Sequence, residues 1–310
     1  MIHLFEFFAD IGTQYQACKD VFGKDNVCSV GISEIDPRPL KAYKALHGEC
    51  QNLGDITKIE DVPPADIWTY SFPCTDLSIA GKQEGLTGQH SSLLYEVCRI
   101  LCKTQHKPQY LIMENVKNLV SKNFIAGFND WCKLLEEQGY TTYWQVLKAC
   151  EYGGGTVRER VFAVSVLDNT NPYEFIAAPG TSKTLRDFLE PADKTFYVDK
   201  GWEDHSPANY HKSIKLCDYG SGGQGNRVYS IAGQGITLTS TGGGKGGSSG
   251  LYLRPEGIYK LSGTEMAKVM GWSTEQAHLI ANALSNREIG FVMGNAIDLN
   301  VMRAVIQNLQ

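Results

Sequence analysis

The chain predicts an α/β fold: one domain with a largely parallel sheet, and a smaller, irregular second domain. Three observations carry this. Compact apolar runs alternate with amphipathic segments through the first 167 residues, the pattern of strands joined by crossover helices. The alternation then stops, and 12 of the 32 glycines fall between Gly220 and Gly250, too many for a regular core there. Helical spacing returns in the last fifty residues.

Taken in order, "IHLFEFF" reads as the first strand and "TQYQACKDVF" as the helix behind it. "VCSVGIS" is the second strand, ending at Glu34 and Asp36, with helical "PLKAYKALHG" after it. "DIWTYSF" is the third and runs straight into Pro73-Cys74. "SSLLYEVCRILCKTQ" places Leu93, Leu94, Val97, Ile100 and Leu101 on one helical stripe. "QYLIMENV" is a buried strand with Glu114 near its end, and "FNDWCKLLEEQG" is a helix closed by Gly139. "YWQVLKAC" and "RVFAVSVL" complete the strands. Inside the glycine-rich stretch, the β-favouring "RVYSIAGQGITLTS" argues for a structured domain rather than a linker. "GTEMAKVMGW", "EQAHLIANAL" and "MGNAIDLNVMRAVIQNL" are helical, and the last turns Leu299, Met302, Val305, Ile306 and Leu309 toward a core. The division this suggests is 1–167, completed by 285–310, with 168–284 as the second domain.

Composition bounds the function. With 42% apolar and 20% charged residues, the 310-residue chain is globular, not disordered. No uninterrupted apolar run reaches the roughly 18 to 20 residues of a membrane span. The start, "MIHLFEFFADIG", lacks a basic region and carries Glu6 and Asp10, which argues against a signal peptide. Nine cysteines at irregular spacing, without a CxxC pair, suit neither a disulfide framework nor a zinc site, and point to a reducing cytoplasm. A net charge of −5 excludes a generic polyanion binder. Yet Lys212, Lys215, Arg227, Lys245 and Arg254 stand against the single acid Asp218 between His205 and Arg254. A basic segment on an acidic body suits a nucleic-acid contact.

Ligands of open α/β sheets collect outside the carboxyl ends of the strands. There "FFADIG" makes a tight turn, Glu34 suits a ribose diol, and Asp55 in "GDIT" suits an exocyclic amine. Each acid would equally serve as a helix N-cap; in this order they suggest a nucleoside cofactor. The chain has no GxxxxGK[ST] loop, and the turn after the first strand lacks GxGxxG, which disfavours a P-loop nucleotide site and a dinucleotide oxidoreductase. Cys74 is either a small core residue or a nucleophile on a stiff loop. "VRERVF" supplies Arg158 and Arg160, spaced to share one face of a strand and favour a thiolate. A buried Glu114 with a raised pKa could exchange a proton with a base edge. These are the tools for attacking an electron-poor ring such as a pyrimidine.

Along nearly its whole length, and in the same motif order, the chain resembles the C5-cytosine DNA methyltransferases of bacteria and phages. "FFADIG", "ISEID" and "GDIT" resemble their cofactor turn, ribose acid and adenine-contacting acid. "SFPCTDLS", "MENVKNL" and "VRERVF" resemble the nucleophile loop, the Glu-Asn-Val motif and the arginine motif. "ITLTSTGGGKGG", "KLSGTEMAKVMGW" and "MGNAIDLNV" resemble the end of the recognition region and the last two motifs. The resemblance implies a Rossmann-like methyltransferase sheet with helices on both faces, with 1–167 catalytic and cofactor-binding and 168–284 target-recognising. It implies S-adenosyl-L-methionine as cofactor, contacted by Phe8, Asp10, Ile11, Gly12, Glu34, Ile35, Asp55, Ile56, Pro73, Leu93, Asn295 and Ala296. Cys74 would add to C6 of a flipped-out cytosine, Glu114 would meet its N3 edge, and Arg158 and Arg160 would complete the catalytic set. Double-stranded DNA would meet Ser78, Arg227, Thr237, Leu238 and Lys245. The expectation is a monomeric, cytoplasmic enzyme with no membrane partner and no metal.

The match has departures. Asp10 stands where the first turn glycine is usual, Thr156 where Gln is usual, Gly263 where Pro is usual, and "FVMGN" lacks its Gln. Asp tolerates positive φ better than most residues, and its charge would lie near the methionine end of the cofactor. Transfer-RNA cytosine methyltransferases share the motif order, and a weakened DNA-binding relative would share the residues. The glycine-rich segment with Arg227, Lys245 and Arg254 favours DNA.

Overall fold

The computed structural model describes residues 1–73, 93–168, 172–220 and 223–309. Six strands build the first sheet: β1 (Ile2–Phe7), β2 (Val27–Ser33), β3 (Ile67–Tyr70), β4 (Tyr110–Val116), β5 (Tyr140–Lys148) and β6 (Glu159–Leu167). Their spatial order is β2-β1-β3-β4-β6-β5. The first four are parallel, and only β6 runs against its neighbours. That reversal places the start of β6 beside the carboxyl end of β4, which matters for the site. The chain order changes direction between β1 and β3, so a crevice opens at their carboxyl ends.

Alternation along the strands feeds two apolar clusters, one per face. Phe5, Phe7, Trp68, Tyr70, Leu111, Met113, Val161 and Ala163 join one cluster with residues of α3 (Leu93–Lys103) and α4 (Ile125–Glu137). Leu4, Ile67, Ile112, Phe162 and Val164 join the other with α1 (Thr13–Phe22), α2 (Pro37–His47) and the C-terminal helices. Helices therefore cover both faces, as a mostly parallel sheet requires. Gly139, at φ 93°, ends α4 as expected.

The second sheet is small. It contains β7 (Tyr197–Asp199), β8 (Ile214–Asp218), β9 (Arg227–Ser230), β10 (Leu251–Arg254) and β11 (Gly257–Tyr259), ordered β7-β11-β10-β9-β8. Tyr229 and Tyr252 turn one face into the larger core, while Val228, Leu251, Leu253 and Ile258 make a separate patch on the other.

The chain then returns through α5 (Gly263–Val269), α6 (Thr274–Ala283), α7 (Asn286–Asn295) and α8 (Leu299–Gln307). Ser262, Ser273 and Ser285 each start a helix with a reciprocal capping box. Helix α6 packs on α2, α5 on α7, and α8 on α1, where Arg303 pairs with Asp20 at 2.6 Å. Helices α5 and α6 thus pack with helices of the first sheet's layer. Asn286–Gln307 has the length and mean hydropathy of a membrane-crossing helix, yet 72% of its apolar 18-residue window is buried in the fold. Asp298 also interrupts it, as the N-cap of α8.

Candidate active site

The turn after β1 has an unusual backbone. Phe8 (φ 54°), Asp10 (φ 49°) and Gly12 (φ 74°) all lie in the left-handed region. For the two non-glycine residues this costs about 1–2 kcal/mol each, a strain that persists only where surroundings enforce it. A Cβ on Gly12 would lie 2.6 Å from the rings of His47 and Tyr43, so glycine is required. His47 holds the turn from below. Its Nδ1 faces Lys19 Nζ at 2.8 Å and its Nε2 faces the Ile11 carbonyl at 3.1 Å. An ammonium can only donate, so Nδ1 accepts and Nε2 carries the proton. Burial pushes the His47 pKa down to about 3, which keeps the ring neutral.

Three acids stand at the ends of β1 and β2 and in the following loop. The Glu34 carboxylate is fixed by the amides of Ile35 and Asp36, both at 2.8 Å, and of Asp10 at 3.1 Å. Asp55 Oδ1 accepts from the Thr57 amide and hydroxyl, so that oxygen caps a short turn, while Oδ2 faces Lys58 at 3.7 Å. Ile35 beside Glu34 is 73% exposed, an apolar platform next to acids. The side chains of Ile11, Ile56 and Ala296 are buried, so these residues would meet a ligand through the main chain. Asn295 is exposed at the end of α7, and Pro73 and Leu93 are half-buried. Asp10 Oδ2 is sealed from solvent and accepts no hydrogen bond. Burial and the neighbouring Glu34 push its pKa well above the usual carboxylate range.

Across the crevice, Glu114 near the end of β4 is 5% exposed and lies 3.3 Å from Arg160 Nε. Burial raises its pKa, and Arg160 and Arg158 oppose that shift. Asn115, next in sequence, donates from Nδ2 to the Phe72 carbonyl at 3.0 Å. It thereby ties the end of β4 to the chain entering Pro73. Sequence reasoning missed this role although Asn115 lies inside a quoted motif; His47 carries no sequence signal at all. Cys74 and Ser78 lie outside the described residues.

Arg158 does not share a strand face with Arg160. It precedes β6, is 2% exposed, and donates to the carbonyls of Gly294 (3.1 Å), Asn295 (3.4 Å) and Ala296 (2.7 Å). These are orphan acceptors at the C-terminus of α7, where a cation is favoured. Through these bonds Arg158 clasps that helix end. The adjacent glycines explain the close fit. A Cβ on Gly154 would lie 2.5 Å from Asp298 Oδ2, and one on Gly155 2.8 Å from Val269.

In the second domain, Lys245 is exposed, with Nζ 4.6 Å above the Tyr219 ring. Arg227 is half-buried, 3.8 Å from Asp218, and Thr237 offers its carbonyl to Gln224. Two expected surface residues are internal. Leu238 is 1% exposed, a core side chain. Arg254 is 5% exposed and pairs with Glu265 at 2.8 Å, so it adds nothing to a basic surface. The glycine-rich segments pack backbone on backbone. Gly246 donates to the Gly225 carbonyl at 2.7 Å, and a Cβ on Gly225 would overlap the carbonyl of Gly243. Gly294 of α7 would, with a Cβ, lie 2.2 Å from the Ser240 amide, so this segment abuts the end of that helix.

A mostly parallel sheet with a crevice at its switch point, lined by acids and an exposed apolar side chain, has the architecture of S-adenosylmethionine-dependent methyltransferases. Residues 2–310 match the family described as C-5 cytosine-specific DNA methylase, and the chain belongs to that family. The type II methyltransferase M2.ScrFI of Lactococcus lactis subsp. cremoris is 33% identical over 278 residues, 84% of this chain and 71% of that protein. M.HhaI of Haemophilus parahaemolyticus is 29% identical over 287 residues, 89% of this chain and 86% of that protein. The fold is similar to S. pombe Dnmt2 methyltransferase, with a TM-score of 0.73 at 16% identity, covering 99% and 97% of the two chains. The protein is accordingly a DNA (cytosine-5-)-methyltransferase that uses S-adenosylmethionine. The site fits this cofactor: Glu34 and Ile35 suit a nucleoside, and the orphaned oxygen of Asp10 suits a cation.

Proposed function

We propose that this enzyme methylates C5 of a flipped-out cytosine in duplex DNA through a covalent adduct with Cys74. The observation that carries this is the Glu114–Arg160 pair, together with the Asn115 bond that anchors the chain immediately before Pro73-Cys74. S-adenosylmethionine supplies an electrophilic methyl group when bound. Glu34 and Ile35 hold its nucleoside, with Asp55 and the turn at Phe8–Gly12 completing the cradle. Glu114, with its pKa raised by burial, meets N3 of the base, and Arg160 fixes that carboxyl. The Cys74 thiolate forms a bond to C6, which makes C5 nucleophilic. After methylation, loss of the C5 proton expels Cys74 and restores the aromatic ring.

Cytosine inside a duplex is out of reach, so the base must be extruded at a cost of a few kcal/mol. The exposed Thr241–Lys245 tip, with Arg227 and Thr237 beside it, is the surface placed to read the groove. The packing favours a recognition domain ending near Leu261, with 1–167 and 263–310 forming the catalytic domain. The described cysteines are all free, which supports a cytoplasmic enzyme, and we take it to act as a monomer.

The test is a trap. Duplex DNA containing 5-fluorocytosine should form a covalent complex with the native enzyme and cofactor, and none with Cys74→Ser. Labelled methyl should enter duplex DNA and not tRNA; label confined to tRNA would overturn the substrate, and a trap unaffected by Cys74→Ser would overturn the mechanism.

A further inference from the structure

We propose that Arg99 is a positioning residue for the base of the cofactor: from α3 it fixes the turn that carries Asp55 and Ile56, and so sets the preference for adenine. The inference deepens the cofactor reading above, on which it rests, and concerns a residue outside the motifs assigned to the site.

Asp55 is rigid within its own turn. Its Oδ1 accepts from the Thr57 amide and hydroxyl, and its carbonyl accepts from the Lys58 amide at 2.9 Å. All of these join near neighbours, so they leave the turn as a whole free to shift against the sheet. Two ties hold it. On one side, Asn52 Oδ1 accepts from the amides of Glu34 (3.1 Å) and Gly54 (3.0 Å), and Ser33 Oγ donates to the Gly54 carbonyl at 2.7 Å. The acid proposed for the ribose and the acid proposed for the base thus share one bridge. On the other side, Arg99 Nη2 donates to the carbonyls of Ile56 (3.1 Å) and Ile59 (2.7 Å).

The second tie is aimed in advance. Arg99 Nε donates to Glu96 at 2.7 Å on the same helix, which orients the planar fork before it meets the turn. A carbonyl oxygen has two lone pairs, so Ile56 accepts from Arg99 while still serving the Ile59 amide at 3.2 Å. The side chains of Ile56 and Ile59 pack in one apolar cluster with α3, but such packing has no direction of its own, and the hydrogen bonds set the register. Lys103, one turn further along, reaches Glu60 at 2.7 Å; both side chains are exposed, and a pair of that kind contributes little. Asp55 Oδ2, which the turn does not use, is the oxygen left for an exocyclic amine. A hydrogen bond to a charged group changes affinity by about ten- to a hundredfold, and a shifted turn forfeits it. Hypoxanthine carries a carbonyl where adenine carries that amine, so the carboxylate would face an acceptor and gain nothing.

Isothermal titration of S-adenosylhomocysteine and S-inosylhomocysteine, which differ only in the base, tests this. The proteins are the native enzyme, Arg99→Met, Arg99→Lys and Lys103→Met, with melting curves to confirm folding. The native enzyme should bind the adenosyl ligand at least about tenfold tighter. Arg99→Met should narrow that ratio to about threefold or less through the adenosyl ligand alone, while Lys103→Met keeps the native ratio. Arg99→Lys retains the charge without the fork and should narrow the ratio at least about threefold, which decides the question if the methionine variant does not fold. An equal loss for both ligands, as general destabilisation would give, overturns the proposal, and so does an unchanged ratio. Equal binding of the two ligands by the native enzyme also overturns it, by removing Asp55 from the base. If the native enzyme bound neither ligand, the cofactor reading itself would fail, a distinct result.

Discussion

Replacing Arg158 by Met separates a structural arginine from a catalytic one. The native guanidinium satisfies three carbonyls at the end of α7 from a position 2% exposed. Methionine fills similar volume but donates nothing. A hydrogen bond from a charged donor contributes about 1.5–3 kcal/mol, and a cation at a helix C-terminus up to about 2 kcal/mol. These contributions overlap, because one group makes them all, so a loss of about 3–4 kcal/mol is expected. For a chain of this size that lowers the melting temperature by roughly 6–10 °C. Differential scanning calorimetry at fixed cofactor concentration measures it, with Arg160→Met as the comparison. The latter should melt close to the native enzyme yet lose methyl transfer, since its partner Glu114 belongs to the proposed base site. Were Arg158→Met to melt within about 1 °C of the native protein while losing all transfer, the clasp would be refuted. The guanidinium would then act on the base or thiolate, as its motif suggested.

Three further outcomes follow from particular contacts. Leu238→Ala should cost about 2–5 kcal/mol in urea denaturation, as a core truncation does, while bisulfite sequencing shows the same methylated sequence as the native enzyme. Asn115→Ala frees the Phe72 carbonyl; single-turnover methylation should slow by at least about tenfold while titrated cofactor affinity stays within about twofold. Glu6, fully buried beneath the turn and hydrogen-bonded by the Tyr15 amide and Tyr43 hydroxyl, has its pKa raised by burial from 4.5 to about 7. Its folded-state pKa exceeds the unfolded value, so its contribution is fully present below about pH 4.5 and lost as pH rises through 7. Native stability should therefore fall by about 3 kcal/mol across that window from this group, and Glu6→Gln should remove that slope in denaturation curves taken at successive pH values.

What could be read in advance depended on how local its cause is. The limits of β2 and α1 coincide with "VCSVGIS" and "TQYQACKDVF" because burial on a sheet and one-sided burial on a helix leave periods in the sequence. The reversed direction of β6 leaves no such trace, since a strand alternates identically whichever way it runs. The candidate acids were visible as residues at strand ends, but whether Asp55 caps a turn or faces solvent depends on the adjacent Thr57. Spacing alone makes Arg158 a strand partner of Arg160, because the carbonyls it meets lie more than 130 residues away. Arg254 reads as surface charge although its partner Glu265 is only 11 residues on, because that ion pair is set by how α5 packs. Leu238 sits in a recognisable motif, and a motif does not say which of its members faces inward.

The glycine contacts beneath the Thr241–Lys245 tip separate shape from chemistry. Because main chain rests on main chain there, the contour of the tip is specified by positions that can hold nothing larger than hydrogen. The outward Thr241 side chain takes no part in that support, and Lys245 reaches the body of the domain only through its ammonium on Tyr219. Exchanging those two residues should therefore retune which bases are met without remoulding the surface that meets them, whereas enlarging Gly225 would deform the surface and leave its chemical lettering untouched.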